Sequence, residues 1–407
     1  MFRFNSSIDG IVIDYDSFQY IQTGVLQELC SIKHVLFITS SESERDKLET
    51  EYGKNSVLLI PGYIKTFAPN QLAHKLILDA MNLCTTQIVY VTADAFFVQN
   101  ALSFMSGIVF VSEVQIQYGD LSHCPDLICP NIQTLVEWLK NGVSGFLGEI
   151  IINPIENGSG TVIQANFTVD KIGYPIICLG RYFGYTQYMS QLHPYSSAIY
   201  LNKREGTKSF GRYNYVFSEL LIKVIERIVE TEKIDYITAV PTRPGKINRN
   251  TEIIKTVSEA FNIGSLLDLF ICNCNYDSQK TLSVEGRRRN VQGVFEITCP
   301  IKGKNVLLYD DIVTTGATIS ECVRVLKTAG AHRIYIVVLA VNQQDNYWTI
   351  DEPKVYCQQC GAQMRLLFNS LNYRFFYSCK NDFSHNKVNF EVARCILQDK
   401  IDDEFKK

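Results

Sequence analysis

Two adjacent carboxylates at the end of an apolar run are the most informative residues of this sequence. Val306 to Tyr309 read as a buried strand, and Asp310 and Asp311 follow it directly. Paired carboxylates offer several hydrogen-bond acceptors and suit a ligand with neighbouring hydroxyl groups, such as a sugar. The alternative is an ordinary strand end with two solvated acids.

The loop after the acids is built from small and hydroxyl-bearing residues, and an amphipathic helix follows it. The loop residues are Thr314, Thr315, Gly316, Ala317 and Thr318. Backbone N–H groups converge at such a junction, and small side chains let a phosphate approach closely. Acids and loop together resemble the phosphoribosyl-diphosphate (PRPP) motif of type I phosphoribosyltransferases. The resemblance implies that Asp310 and Asp311 hold the ribose hydroxyls and that the loop holds the 5′-phosphate.

Two further segments resemble parts of the same family. A strand at 237–240 leads into a loop, residues 241–246, that meets the diphosphate in type I enzymes. Residues 278–297 resemble the mobile loop of ComF-like phosphoribosyltransferases, which closes over the substrate. The implied diphosphate-contacting residues are Thr242, Arg243, Lys246, Arg287, Arg288 and Arg289. The alternatives are a proline-rich turn and three solvated arginines.

These resemblances imply a reaction. A base or amine acceptor, which the sequence does not identify, would displace diphosphate from C1 of PRPP. Positive charge develops on the ribose ring, so nearby carboxylates and Mg²⁺ on the diphosphate would both assist. Asp310, Asp311, Arg287 and Arg288 are the predicted catalytic residues of this domain.

A second group of carboxylates lies at predicted strand ends in the first hundred residues. Asp14 and Asp16 follow one strand, Thr39 ends the next, and Asp94 follows a later one. The segments IVIDYDSF, FITSS and VTADAFFVQNA resemble motifs of the haloacid-dehalogenase (HAD) superfamily. The resemblance implies that Asp14 is a nucleophile towards phosphoryl groups and that Asp16 is a general acid and base. Thr39 would bind phosphoryl oxygens, and Asp94 would hold Mg²⁺.

Two positions depart from the HAD pattern. Ala68 stands where a lysine is expected before the proline of the third motif, and Val98 stands where a second acid is expected. Both changes remove charge that would stabilise a phosphoryl transition state. Phosphatase activity on the transferase product is therefore one hypothesis, and a HAD-shaped domain kept for binding or assembly is the other.

Four residues near the C-terminus have the types and spacing of a zinc ribbon. Cys357 and Cys360 form a Cys-x-x-Cys knuckle, and Cys379 and His385 follow after two predicted strands. Cys395 is the alternative fourth ligand. A ribbon of this size needs its Zn²⁺ to fold.

The predicted elements give an α/β chain of several domains. Helical patterns separate the strands, which is typical of parallel sheets. The expected order is a HAD-like Rossmannoid domain (1–143), a β-rich connector or hood (144–194), a type I phosphoribosyltransferase parallel-sheet domain (195–350), and a zinc ribbon with tail (351–407). In the connector, Glu149–Ile152 and Thr161–Val169 are predicted strands, with a hairpin turn at Asn157-Gly158.

Bulk properties limit the classes of function. The chain has 407 residues, 46% hydrophobic and 20% charged, with a net charge of −3. This charge predicts no general attraction to nucleic acid or anionic membranes. No apolar run approaches the length of a membrane span, and lone cysteines in apolar segments favour a cytoplasmic location. A non-catalytic PRPP or nucleotide sensor and a ComF-like protein acting with single-stranded DNA remain alternatives, and self-association remains open.

Overall fold

The apolar runs of the sequence form two largely parallel sheets flanked by helices, which confirms the predicted α/β class. This computed structural model describes residues 8–62, 70–154, 157–242, 245, 247–272, 283–345, 348–369 and 374–406. The strands are β1 (Gly10–Asp14), β2 (His34–Thr39), β3 (Val57–Leu59), β4 (Ile88–Thr92), β5 (Gly107–Val111), β6 (Leu127–Cys129), β7 (Val143–Phe146), β8 (Ser159–Thr161), β9 (Ile163–Val169), β10 (Ile172–Cys178), β11 (Arg181–Tyr182), β12 (Tyr236–Ala239), β13 (Gly264–Ser265), β14 (Phe270–Cys272), β15 (Phe295–Ile297), β16 (Asn305–Val313), β17 (Arg333–Asn342), β18 (Met364–Asn369), β19 (Arg374–Cys379) and β20 (Val388–Asn389).

The helices pack mainly on the faces of these sheets. They are α1 (Thr23–Ile32), α2 (Glu42–Tyr52), α3 (Gln71–Met81), α4 (Ala95–Leu102), α5 (Ile132–Lys140), α6 (Leu147–Ile152), α7 (Pro194–Asn202), α8 (Asn214–Val229), α9 (Thr251–Phe261), α10 (Val284–Val291), α11 (Ala317–Thr328) and α12 (Phe390–Lys406). Short 3-10 turns cover Tyr15–Ser17, Lys54–Ser56, Thr85–Gln87, Tyr118–His123 and Tyr188–Gln191. None of the helices in the described ranges is both long and apolar enough to cross a membrane.

The first sheet has the strand order β3-β2-β1-β4-β5-β6, and all its strands are parallel. All five residues of β1 are buried, as expected for a strand covered on both faces. The strand order reverses direction between β1 and β4. In open parallel sheets this reversal leaves a crevice at the carboxyl ends of the strands, where ligands bind.

The second sheet has the order β13-β12-β16-β17-β10-β9, with β11 also paired to β17. Its strands are parallel except β9, which pairs antiparallel with β10. Strands from the segment predicted as a connector therefore extend the sheet that contains the acid pair. The β9–β10 turn is formed by Asp170 and Lys171 at φ 48° and 66°, as in a tight two-residue hairpin.

Two predictions for the connector were wrong. Residues 149–152 lie in α6 rather than in a strand, and β8, which follows Asn157-Gly158, pairs in parallel with β7. No hairpin forms between the two predicted strands. Helix α6 is stabilised by tertiary contacts, because its Glu149 forms a buried ion pair with Arg181.

Arg181 is the centre of a buried ion network that joins the two sheets. Its side chain contacts Asp126, which lies just before β6, and Glu149 on α6, each at 2.9 Å. His193 Nε2 lies 3.4 Å from Glu149 Oε2. Burial alone would raise the pKa of Glu149, but Arg181 and His193 hold it well below the usual value. Glu149 is therefore ionised, and Arg181 compensates its charge.

The C-terminal segment packs on both sheets. Strands β18, β19 and β20 form a small antiparallel sheet, and the Tyr377 hydroxyl on β19 donates to the Gln191 carbonyl at 2.5 Å. Helix α12 then reaches the N-terminal sheet, where Asp402 accepts hydrogen bonds from Thr86 N at 3.0 Å and Thr86 Oγ1 at 2.7 Å. The Phe405 ring lies 4.9 Å from the buried His74 ring.

We expect Glu149→Gln to destabilise the chain strongly, because it leaves the buried Arg181 with one carboxylate. Breaking a buried pair costs about 3–5 kcal/mol. Thermal unfolding followed by circular dichroism measures the change in midpoint. Glu28→Gln is the matched control, since its pair with Lys140 is exposed and is worth about 1 kcal/mol or less. Equal shifts for the two variants would contradict a stabilising role for the network.

Candidate functional site

The acid pair lies in the second half of β16, which continues to Val313 and is flanked by β12 and β17. Asp310 is partly exposed, whereas Asp311 is buried. Lys203 Nζ lies 2.8 Å from Asp311 Oδ1, and the Arg249 guanidinium contacts Asp311 Oδ2. The Asp311 carboxylate therefore has a cation at each oxygen.

The sequence analysis missed both cations. Lys203 directly follows α7, far from any motif, so no sequence signal identifies it. Arg249 lies three residues after the predicted diphosphate loop. A positive charge so close to that loop is the one sequence signal that could have indicated a role for Arg249 in the site. Both contacts depend on tertiary structure, because they bring together residues about 60 to 110 positions apart in the sequence.

The two acids have opposite ionisation behaviour. Loss of solvent around the carboxyl group of Asp310, followed by the charge of Asp311, raises the pKa of Asp310 to about 7. Burial would also raise the pKa of Asp311, but Arg249 and Lys203 reverse this and hold it below its usual value. Asp311 is thus an ionised acceptor throughout the physiological range, while Asp310 changes its protonation near neutral pH.

The loop after the acids has the features of a phosphate site. Gly316 precedes α11 at φ +72°, and a Cβ there would lie 2.6 Å from the Phe167 ring, so only glycine fits. No side chain caps the N-terminus of α11 within the described structure, where helix N–H groups favour an anion. The Thr315 hydroxyl is buried and has no hydrogen-bond partner among the described residues.

The segment that connects β5 to β6 contacts the same loop. The Tyr118 hydroxyl donates to the Thr314 carbonyl, and the Tyr118 ring lies 5.1 Å from the Phe167 ring. The adjacent chain is fixed to β9, where Asn166 N donates to the Ile116 carbonyl at 2.7 Å. Residues that connect β5 to β6 of the first sheet therefore contact the loop of the second, which no sequence motif indicated.

The remaining residues predicted for PRPP binding lie on neighbouring elements. Thr242 is half-buried just after β12, while Arg243 and Lys246 lie outside the described residues. Arg287 and Arg288 lie on α10, which packs against α11. Gly293 N, beyond α10, donates to Glu321 Oε1 on α11 at 2.8 Å. The arginine-bearing helix is thus attached to the helix that follows the loop.

The predicted carboxylates of the N-terminal sheet lie just after or at the carboxyl ends of neighbouring strands. Asp14 is buried at the end of β1, and its Oδ2 accepts a hydrogen bond from Thr92 Oγ1 at 2.9 Å. The Asp16 carboxylate accepts from the Thr39 hydroxyl and from Ser40 N at 2.7 Å. These donors orient Asp16 as an acceptor.

Asp94 and its surroundings offer little charge for a metal ion. Asp94 is exposed and caps α4, with Phe96 N donating to its Oδ1 at 2.8 Å. Val98, at the position expected to be acidic, is buried in the apolar core. Ala68 lies outside the described residues.

Three cysteines and one histidine of the C-terminal sheet converge. The ligand atoms of Cys357, Cys360, Cys379 and His385 all lie within 4.8 Å of one another. In the described ranges this is the one such group of three or more Cys, His, Asp or Glu. Cys360 Sγ and Cys379 Sγ are 3.5 Å apart, close to the roughly 3.8 Å between thiolates on a tetrahedral zinc ion. Cys395 is exposed on α12 and is not part of the group.

Comparison with known proteins identifies one region of the chain. Residues 278–363 match the family model described as a phosphoribosyl transferase domain. The chain is 36% identical over 59 residues to the "DNA utilization protein YhgH" of Escherichia coli O157:H7, and 34% identical over 59 residues to that of Salmonella typhi. Each match covers 14% of this chain and 26% of the relative, so the chain spans about a quarter of the length of these relatives.

Three solved structures show limited likeness. The allosteric regulatory enzyme of purine biosynthesis is 19% identical, with a TM-score of 0.23, over 37% of this chain and 30% of that one. Adenine phosphoribosyltransferase from Saccharomyces cerevisiae is 19% identical, with a TM-score of 0.22, over 34% and 80%. Leishmania donovani UMP synthase is 13% identical, with a TM-score of 0.24, over 78% and 68%.

We expect PRPP affinity to fall about tenfold between pH 8 and pH 6, because Asp310 gains a proton as the pH drops through its pKa of about 7. A protonated carboxyl loses acceptor sites for ribose hydroxyls. Calorimetric titration measures the affinity of wild type and of Asp310→Asn, in which this titration is absent. PRPP itself titrates, and the difference between the two proteins cancels that contribution. Parallel pH profiles would contradict the prediction.

Zinc content tests the C-terminal group. Atomic absorption of the purified chain should give about one Zn²⁺ per molecule, since three thiolates and an imidazole form a closed structural site. Cys357→Ser should lose the metal and lower the unfolding temperature, because binding free energy contributes to folding in such small units. Cys395→Ser should retain the metal. Loss of zinc in both variants, or in neither, would exclude this ligand set.

Proposed function

We propose that this protein is a PRPP-dependent phosphoribosyltransferase that displaces diphosphate with a nitrogenous base or amine. The main support for this proposal is the junction of β16 and α11, where Asp310 and Asp311 are followed by a glycine-containing loop. This junction lies inside the region that matches the phosphoribosyl transferase domain. The two acids suit the hydroxyl groups of a ribose, and the loop with the helix N-terminus suits its 5′-phosphate. One sugar phosphate could therefore contact all three features.

The acid pair would bind the ribose and stabilise its developing positive charge. Asp311 Oδ1 already accepts from Lys203 and Ile312 N, and Oδ2 accepts from the Arg249 guanidinium, so a ribose hydroxyl would take the place of one of these donors when PRPP binds. The same two cations keep Asp311 ionised and fix its orientation. A preorganised carboxylate close to the ribose ring would lower the barrier to loss of diphosphate.

The loop and helix α11 would hold the 5′-phosphate. Thr314, Thr315 and Thr318 bring hydroxyl groups, and the buried Thr315 hydroxyl has no partner among the described residues. Bound Mg²⁺ would neutralise charge on the departing diphosphate, and it needs few protein ligands because substrate oxygens and water complete its shell. Thr242, Arg243, Lys246, Arg287 and Arg288 are the chain's candidates to meet that diphosphate.

For the N-terminal sheet we propose a HAD-like fold with a phosphatase site that removes the 5′-phosphate from the transferase product. Asp14 would be the nucleophile and Asp16 the general acid and base, with Thr39 on the phosphoryl group and Asp94 near Mg²⁺. The contact of Tyr118 with the Thr314 carbonyl supports cooperation between the two sheets. A non-catalytic role in assembly is the alternative, favoured by the apolar Val98.

We also propose a structural Zn²⁺ held by Cys357, Cys360, Cys379 and His385. A cytoplasmic location is proposed as well, because the cysteines of the described residues form no disulfides. A sensor that binds PRPP without turnover is the second function. A ComF-like role with single-stranded DNA is the third, and the partial match to "DNA utilization protein" is the observation that favours it.

Diphosphate release distinguishes the transferase from the sensor. The full chain is incubated with PRPP, Mg²⁺ and a panel of bases and amines, and diphosphate is measured through a coupled pyrophosphatase assay. Asp311→Asn should lower kcat/KM by about 10- to 100-fold, since hydrogen bonds to a charged group are lost. Asp403→Asn, an exposed change on α12, is the matched control. PRPP binding without release for any acceptor would favour the sensor, and absence of PRPP binding would exclude both.

The same incubation tests coupling to the N-terminal site. Chromatography of the products should give the dephosphorylated nucleoside from wild type and the 5′-phosphorylated nucleotide from Asp14→Asn. If wild type also stops at the nucleotide, the phosphatase proposal fails while the transferase proposal stands.

A further inference from the structure

A cleft of about 530 Å³ separates the region around α7 from the C-terminal sheet. One wall consists of residues between Phe183 and Arg204, and the other consists of residues of β18 and β19 with Lys380. The cleft falls within the roughly 300–1,000 Å³ typical of small-molecule sites. None of the residues predicted for PRPP, phosphoryl or zinc binding lines it.

Two stacked tyrosines form a flat apolar surface on the first wall. Tyr185 is 69% exposed, and its ring lies 4.9 Å from the Tyr200 ring at an angle of 14°. The Arg204 guanidinium lies 5.7 Å from the Tyr200 ring centroid. Such an exposed, supported ring is able to stack on a planar ligand, and every nucleobase has such a face.

The charge of the cleft is positive, in contrast to the net charge of the chain. Arg204 lies on one wall and Arg365 and Lys380 on the other, and the lining includes no carboxylate. Lys380 Nζ donates to the Gln363 amide oxygen at 2.9 Å. Within the described ranges, no carboxylate forms an ion pair with any of these three cations. Their charge is therefore available to an anionic ligand.

We infer that this cleft binds a nucleotide unit, with the base stacked on Tyr185 and the phosphate neutralised by Arg365, Lys380 and Arg204. A purely apolar ligand would not use the three cations, and inorganic phosphate would not use the tyrosine pair. A base joined to a phosphate uses both features at once.

The cleft adjoins the acid pair without sharing residues with it. Arg204 lines the cleft, and the preceding residue, Lys203, contacts Asp311 at 2.8 Å. A nucleotide in the cleft would therefore lie next to the proposed PRPP site. Neither tyrosine is part of the proposed PRPP site, so a change at Tyr185 tests the cleft separately from PRPP turnover.

Two probes separate the possible sources of a nucleotide unit. The full chain with its metal is titrated with dAMP by calorimetry and with a fluorescent deoxyadenylate decamer, lacking terminal phosphates, by anisotropy. Tyr185→Leu should weaken binding about tenfold through loss of stacking. Arg365→Gln combined with Lys380→Gln should reduce the salt dependence of decamer binding, lowering the slope of log K against log salt by roughly 1.4.

The controls change similar residues outside the cleft. Tyr215→Leu removes another exposed tyrosine, and Lys387→Gln removes another cation of the C-terminal sheet; both should bind like wild type. Cleft-dependent binding of dAMP indicates a free nucleotide, and cleft-dependent binding of the decamer alone indicates a single strand. The inference is overturned if neither probe binds, or if Tyr185→Leu binds like wild type. Displacement of dAMP by PRPP without an effect of Tyr185→Leu would assign dAMP to the acid pair and would also overturn it.

Discussion

The candidate site depends on the pairing of β16 between two parallel neighbours. Tyr309, which directly precedes the acid pair in β16, pairs with Ala239 of β12 on one side and with Val337 of β17 on the other. Because side chains alternate between faces along a strand, this register determines the face to which Asp310 and Asp311 point. A slip by one residue would exchange the two acids and break the contacts of Asp311 with Lys203 and Arg249.

Local patterns predicted the parts of the fold whose signals lie within short segments. The apolar run before Asp310, the small-residue loop and the helix after it all occur in the structure. The ligand types and spacing of Cys357, Cys360, Cys379 and His385 likewise predicted a group that converges. These features depend on residues that are close together in the sequence, so a short segment contains the whole signal.

The features that sequence analysis missed depend on contacts between distant segments. Residues 149–152 include three isoleucines, which favour a strand. In the structure they form part of a helix, from which Glu149 makes a buried ion pair with Arg181. Lys203 reaches Asp311 across more than a hundred residues, and Tyr118 reaches Thr314 across 196. No periodicity or motif encodes such pairs, because each depends on the packing of segments that are distant in the sequence.

The docking of α12 has a consequence for the order in which the chain matures. Asp402 bonds to Thr86 across 316 residues, and Phe405 packs against the aromatic cluster that covers His74. The ribosome makes the N-terminal sheet long before it makes Phe405. The apolar surface around His74 therefore stays exposed to solvent until α12 has been synthesised. Full packing of the N-terminal sheet therefore requires α12, whose Asp402 the ribosome adds 316 residues after Thr86.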